Sequence, residues 1–543
     1  MKDTIKIGII LNDGDVSLWI CRVIEKILDS EYAEIKVVID HQEKIDSNKT
    51  KKSFFYNLHE RLDELVFNSR IDYNKHVSVS EILAGITRIS IDSDLCKNSS
   101  GNAFHEISKY DADIFLNFTS LSFSESVLNH ARFGIWHYSI EDKTITKRIS
   151  NGYWEMVKRI PALEVVLRTS NSTFGNDTAI YRSWIPANYN SIHLNQDHAY
   201  GLCSVIIPRL LKQLYQSGFD TLNKLAVKYK ITDEEYSGSD FHPPSNRVAF
   251  KNMLTIVFRY IYNRLVYKNS WNWFLAFTFD KNPFNSAPES FQVLVPPKDR
   301  FWADPFAICR NGKIFIFIEE FLYRTNKGHI TMLELDINGK LLHTEKILEN
   351  HYHMSYPFLF EYNGNYYMIP ETYENKTIQL YTCKEFPGKW NFVMNLMENI
   401  AAMDTTLFFH NNKWWLFTAL NESYNFPDFV ELFLFYSTDL FTTEWIPHPN
   451  NPIVTDVRNA RPAGSIFLHE NRIYRPSQDC SGRYGSAYNL NQIIELSETA
   501  YEEVLVSKTK ADWEPDLKGT HTFNFHNNFI IIDAYRFCKR FII

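Results

Sequence analysis

The sequence predicts a multidomain chain, a Rossmann-like α/β domain followed by an all-β five-bladed propeller, and three observations predict it. The first is a repeated hairpin. At Phe301–Glu320 an apolar, aromatic run leads into Asn311-Gly312 and a second apolar run follows. Asn-Gly between hydrophobic runs marks a hairpin because both turn residues must take φ > 0. The pattern returns at Ser355–Glu371, Met403–Phe417, Arg461–Tyr474 and Gly519–Asp533. The second observation is the spacing. Aligned on Phe306, Phe358, Leu407, Ile466 and Phe523, the copies lie roughly 50–60 residues apart, a repeat length that fits propeller blades. The third is the opening of the chain, where Ile- and Val-rich strands alternate with helical stretches, the grammar of a parallel sheet.

In order, Ile5–Leu11 reads as a buried strand, Asn12–Asp15 as a turn, Val16–Leu28 as a helix and Ile35–Ile39 as the next strand. Asp113–Asn117 and Gly134–Ser139 read as further strands, with a loop running on to Gly152–Glu155. No Gly-x-Gly-x-x-Gly follows the first strand, so a dinucleotide fingerprint is missing. Residues 1–200 are taken as the α/β domain, 201–280 as a helical connector and 281–543 as the propeller. Within the connector, 229–246 reads as a polar loop. The stretch Arg247–Lys268 reads as a helix with five basic residues and no acidic one, followed by Trp271 and Trp273.

Composition excludes several classes. Hydrophobic residues make up 45% and aromatics 15%, enough for well-filled cores, and the net charge of −7 argues against nucleic-acid binding. The first residues lack a charged-then-apolar leader and no apolar run reaches the roughly 18 residues of a membrane span, so a cytoplasmic protein is expected, with peripheral contact to the inner membrane as a further expectation. The seven cysteines are scattered singly, which reads as reduced thiols and not as a disulfide frame or a zinc site. Asp111-Ala-Asp113 has metal-clamp spacing but precedes a buried strand, where a turn is expected; no metal and no cofactor are predicted.

Two stretches carry family resemblances. Asp111–Asn117 with Phe133–Ser139 resembles the core of the formyltransferase fold, which uses an Asn-x-His and a later Asp. His137 matches that histidine, while Ile135 stands at the asparagine and Phe174, just before Gly175-Asn176-Asp177, at the aspartate, so formyl transfer is not expected. The propeller, opening on Ala303-Asp-Pro-Phe306 and repeating at Met403-Asp-Thr-Thr-Leu407, resembles the furanosidase superfamily of arabinanases, xylosidases and invertases. The whole layout looks closer still to a bacterial group whose propeller is similar to the N-terminal region of plant glucosamine inositolphosphorylceramide transferases. A counterpart of the transferase domain that follows in the plant proteins is not expected from this sequence.

The furanosidase resemblance implies Asp304 as base or nucleophile and Asp404 as the carboxylate that positions and tunes it. The acid of that family falls on Ala460-Arg461-Pro462, so an arginine stands in its place; Glu319, Glu371 and Asp479 are the substitutes. A hydrolase must protonate an alkoxide leaving group, whereas a transferase using a nucleotide sugar expels a phosphate, which an arginine fork suits. Arg461, Arg475, His521 and Arg536 lie on recurring blade positions and, with Glu319 and Trp302, form the expected substrate-binding set; Asp304, Asp404, Glu371 and Asp479 form the catalytic one. The expected function is a glycosyltransferase of surface-polysaccharide (O-antigen-type) assembly, moving a sugar, a furanose by resemblance, from a nucleotide-sugar donor to a glycan acceptor. A furanosidase-type glycoside hydrolase and a non-catalytic carbohydrate-binding propeller are the alternatives. The basic helix is expected to contact anionic membrane.

Overall fold

The computed structural model describes residues 3–12, 14–42, 53–67, 71–92, 109–119, 131–139, 152–171, 175–218, 220–230, 244–285, 287–420 and 431–539. They form two compact units, one reaching to Phe258 and one beginning at Arg259. In the first unit a seven-stranded sheet runs in the order Thr87–Asp92, Ala33–Gln42, Ile5–Asn12, Ile114–Asn117, Ile135–Ser139, Ala162–Asn171, Gly175–Pro186. The first five strands are parallel, as the βαβ pattern predicts. The last two add an antiparallel edge that the pattern did not announce. The first helix begins at Leu18, two residues later than expected, because Val16–Ser17 pairs with His76–Val77 as a short ribbon. Trp19, Ile20, Val23, Ile24 and Ile27 form its buried stripe. Most of the polar loop expected at 229–246 lies outside the described residues.

The second unit is the five-bladed propeller. Each of blades 1 to 4 is a four-stranded antiparallel sheet, blade 1 being Arg300–Arg310, Lys313–Leu322, Lys327–Asp336 and Leu341–Leu348. The inner hairpins of blades 2, 3 and 4 are Ser355–Tyr362 with Asn365–Glu371, Ala402–His410 with Lys413–Leu420, and Phe467–His469 with Arg472–Asp479. All five inner hairpins turn on two residues with positive φ: Asn311-Gly312, Asn363-Gly364, Asn411-Asn412, Glu470-Asn471 and Asn527-Asn528. Large apolar side chains such as Phe317, Phe358, Leu380 and Leu416 fill the space between blades, each worth about 1.5–3 kcal/mol of burial.

Blade 5 closes the ring with strands from two parts of the chain. Phe523–His526 and Phe529–Lys539 form its inner hairpin, and Tyr267–Phe279 pairs antiparallel with Phe529–Lys539. Blade 5 thus takes in Tyr267–Phe279, a strand within the stretch read as connector. Trp271 and Trp273 lie on this closing strand and not in a helical extension, and the basic helix ends at Val266.

Gly464 sits where blades 4 and 5 meet. Its φ is +142°, and an added Cβ would lie 2.1 Å from the carbonyl oxygen of Phe523. Backbone cannot swing aside as a side chain can, so Gly464→Ala is expected to destabilise the propeller by about 3 kcal/mol or more. Gly364→Ala, at φ +73° with nothing within 4 Å, should cost only about 1–2 kcal/mol. Thermal unfolding of the two variants side by side checks the difference.

Candidate functional site

The site is built from one backbone device used three times. In blade 1 Ala303 pairs with Glu319 and Phe306 with Phe317, so the inner strand carries one residue too many. Blade 2 repeats this between Ser355 and Phe358, and blade 3 between Met403 and Thr406. Such β-bulges re-aim the side chain they carry. The bulged residues are Asp304, Tyr356 and Asp404, all left-handed at φ +51°, +43° and +50°. A non-glycine residue in that region is strained, and strain of this kind persists only where the surroundings fix it.

What fixes it is a chain of hydrogen bonds around the ring. A bulge frees a backbone N–H from the ladder, and each of the three is taken by a carboxylate of the preceding blade. Asp304 N–H donates to Asp533 Oδ2 at 3.1 Å, Tyr356 N–H to Asp304 Oδ2 at 3.2 Å and Asp404 N–H to Glu371 Oε2 at 3.1 Å. Asp304 Oδ1 also accepts from the Thr522 hydroxyl at 3.1 Å. Arg461 Nε reaches Asp404 Oδ2 at 2.5 Å, and its Nη2 stands 3.7 Å from Glu371 Oε2. Gln478 donates to the same Asp404 oxygen at 2.8 Å. The Arg461 guanidinium lies over the Tyr484 ring at 5.1 Å.

His521 links two carboxylates, with Nδ1 2.7 Å from Asp533 Oδ2 and Nε2 3.3 Å from Asp304 Oδ1. Burial alone would lower its pKa, but Asp533 and Asp304 turn the shift upward and favour the imidazolium. Asp533 is completely buried, and although burial opposes its charge, His521 and the backbone N–H donors hold it below the ordinary carboxylate value. Burial pushes Asp304 up to about 6 against the pull of His521, with Asp404 adding to the rise. Glu371 and Glu319 are held well above the usual range, by burial first and then by the neighbouring carboxylates. Glu319 faces His353, whose Nδ1 accepts from Gly328 N–H, so the proton on Nε2 points at Glu319 Oε1, 3.4 Å away. The cluster thus sets Asp304, pushed up to about 6, beside carboxyls raised well above the ordinary range, the kind of separation that acid–base chemistry needs. Asp304, His521 and Asp533 also place three potential metal ligands within 4.8 Å of one another. Both His521 ring nitrogens face carboxylates, so protein contacts already account for this cluster.

Of the expected site residues, Asp304, Asp404, Glu371, Glu319, Arg461 and His521 converge. Four others do not. Arg475 is a strut: it is fully buried and forks onto Glu503 at 2.8 and 2.6 Å, three residues out along its strand from Gln478. Asp479 points to the opposite face from Gln478, where it pairs with Lys508 and accepts from Ser481 N–H. Arg536 pairs with Glu514 at the surface. Trp302 is packed in the core and donates its indole N–H to Glu320 at 2.8 Å. Side chains alternate along a strand, and recurrence in a blade alone does not say which face a residue takes. Asp533, Tyr356 and Gln478 were missed because their partners come from other blades; the one available signal was Asp533 closing the fifth repeat.

In the first unit His137 Nε2 lies 3.0 Å from Asp177 Oδ1, and Arg168 donates to the Asp177 carbonyl at 2.8 Å. A carboxylate therefore reaches His137 three residues past Phe174, which lies outside the described residues. Ile135 is buried and apolar, so the Asn-x-His pattern stays incomplete. Asp111 pairs with Lys6 Nζ and Asp113 accepts from Lys6 N–H, which makes this pair part of a turn.

Residues 282–534 match the family described as glucosamine inositolphosphorylceramide transferase 1, N-terminal. The chain is similar to the Oryza sativa subsp. japonica protein named glucosamine inositolphosphorylceramide transferase 1, with 33% identity over 210 residues, 38% of this chain and 28% of that protein. The Arabidopsis thaliana protein of the same name is 31% identical over 227 residues, 41% of this chain and 29% of its own length. The chain thus spans under a third of the length of the curated relatives it matches. Among solved structures, Zg3597, a family 117 glycoside hydrolase of Zobellia galactanivorans, aligns over 49% of this chain and 91% of its own at 12% identity, with a TM-score of 0.32.

Proposed function

We propose that the propeller funnel is a glycosyl-transfer site, in which Asp304 deprotonates an acceptor hydroxyl, Asp404 positions the reacting groups and Glu371 delivers a proton to the departing oxygen. The observation that carries this reading is the convergence of Asp304, whose pKa burial pushes up to about 6, with Glu371 one blade away, whose pKa burial and then Asp404 raise well above the ordinary carboxylate value. A base works best near the operating pH and an acid must still own its proton there. Arg461 fits less well as a free phosphate clamp, because its charge is engaged by Asp404 at 2.5 Å, with Glu371 Oε2 3.7 Å from its Nη2. The leaving group is therefore assigned to Glu371, with Arg461 holding the carboxylates in register. Donors with a glycosidic or a phosphate leaving group both remain in scope, a nucleotide sugar among them. The reaction so drawn needs no metal, and dialysis against EDTA should leave it unchanged.

Transfer is placed ahead of hydrolysis because the curated relatives are named as transferases. Hydrolysis is the second reading, favoured by the raised pKa of Glu371, since the same acid–base pair would serve a water molecule. The test is incubation with nucleotide sugars and aryl glycosides, pyranosides and furanosides alike. Glycan alcohols and an inositol-phosphate lipid are offered as acceptors, and products are read by mass spectrometry. Acceptor-dependent product is expected. Release of free sugar alone would establish the hydrolase, and no turnover with measurable glycan binding would leave a lectin-like propeller.

A further inference from the structure

The helix Asn246–Val266 carries apolar side chains on two opposite sides, with polar and basic residues between them. Only one side is buried. Ala249 and Ile256 pack with Tyr56, Tyr153, Met156 and Ile192, and Asn252 donates to the Tyr153 hydroxyl at 3.0 Å. On the opposite side Leu254, Phe258, Ile261 and Leu265 are 51%, 71%, 49% and 59% exposed. Their spacing of 4, 3 and 4 residues puts them in one stripe along a helix about 30 Å long. A contiguous exposed apolar face of this kind marks an interaction surface.

The charges name the partner. From Asn246 to Phe279 there are five basic residues, Arg247, Lys251, Arg259, Arg264 and Lys268, and no acidic one, in a chain whose net charge is −7. Arg247 and Lys251 flank the apolar stripe and are exposed, as is Arg264. Among the described residues no helix is long and apolar enough to cross a membrane. An apolar stripe with a basic border and no acidic residue is the pattern of a helix that lies in a lipid surface. It also disfavours pairing with a second copy, which would set like charges against each other. We infer that this helix docks the protein onto the surface of an anionic lipid bilayer, with Leu254, Phe258, Ile261 and Leu265 entering the interface and Arg247, Lys251 and Arg264 meeting the headgroups.

The experiment is co-sedimentation of the full chain with vesicles of phosphatidylcholine alone or with about 30% phosphatidylglycerol. Binding to the anionic vesicles only, weakened by salt, is expected. Each basic residue near an anionic surface is worth about fivefold in partitioning, so Arg247→Gln, Lys251→Gln and Arg264→Gln together should weaken it by about 100-fold. Leu254→Gln with Leu265→Gln should also abolish it, at unchanged circular dichroism and an unchanged melting curve. These positions are exposed, so folding is preserved; a misfolded variant is replaced by Leu254→Gln alone. A wild type that ignores anionic vesicles at low salt overturns the inference, as does a charge-depleted variant that binds like the wild type. Concentration-dependent self-association lost in the Leu→Gln variant, without lipid binding, would assign the face to a second copy instead.

Discussion

Asp304→Asn is expected to lower turnover by about 10²–10⁴-fold, the range that removal of a positioned acid–base group usually gives. The substitution keeps the shape of the side chain. Its remaining oxygen can still accept from Tyr356 N–H, and the new amide can donate to the Thr522 hydroxyl, which turns to accept. The exchange also removes the carboxylate facing His521 Nε2, leaving Asp533 to hold the imidazolium, so a lower melting temperature is expected alongside the lost turnover. The pH profile separates chemistry from structure. Asp304 works as a base only when ionised, and its value of about 6 means that wild-type activity falls as pH drops through that region. Glu371 works as an acid only while protonated, and its raised pKa makes activity fall again as pH rises past it. The wild type should thus be bell-shaped, and the Asn variant should lose the acid limb along with its rate. A variant retaining more than a tenth of wild-type turnover, with the same bell, would remove Asp304 from the chemistry and leave it a bulge-fixing residue.

The propeller was legible because its strongest signals are local. Asn311-Gly312 and Asn363-Gly364 announce hairpins by backbone conformation alone, and even Glu470-Asn471 and Asn527-Asn528 adopt the same positive φ. Where blade 5 takes its strand Tyr267–Phe279 was not legible, since ring closure is a pairing across more than 250 residues and leaves no mark in either segment. The site divides in the same way. Asp304 and Asp404 stand in short motifs and were legible as candidates. Asp533 was not, because its value lies in meeting Asp304 N–H, His521 N–H and Thr522 N–H at once. Arg475 and Trp302 show the converse error. A large polar or aromatic residue on a repeating position is as often a strut, here for Glu503 and Glu320, as a ligand contact. In the first unit, reading position by position put the partner of His137 at Phe174, whereas Asp177 reaches it from the edge strand.

Removing the charge that Arg461 supplies should be the most damaging single change to the stability of the funnel. Arg461→Met keeps the unbranched stem of the side chain as far as the position of Nε and removes the charged guanidinium beyond it, so the loss of the ion pair dominates the effect. In the wild type Arg461 faces Asp404 at 2.5 Å and Glu371 at 3.7 Å, all three side chains nearly out of reach of water. Breaking a buried pair from one side leaves the other charge uncompensated, which costs about 3–5 kcal/mol, a fall in melting temperature on the order of 10 °C for a unit of this size. The loss should depend on pH with a definite sign. Glu371 already holds its proton above the ordinary value through burial and Asp404, and Arg461 is the group that pulls it back down. Without Arg461 the folded-state value rises further from that of the unfolded chain. The native form then binds a proton that the unfolded form has released, and stability falls as pH rises from the unfolded value towards the folded one. The gap between variant and wild type should accordingly be smallest in acid, near the unfolded value, and widen as pH rises, measured as melting temperatures across the pH range. Arg461→Lys, which retains a charge but not the fork, should recover part of the difference. A Met variant that melts with the wild type at pH 8 would mean that Gln478 and the backbone donors suffice for Asp404, and that Arg461 is free to serve a substrate anion after all.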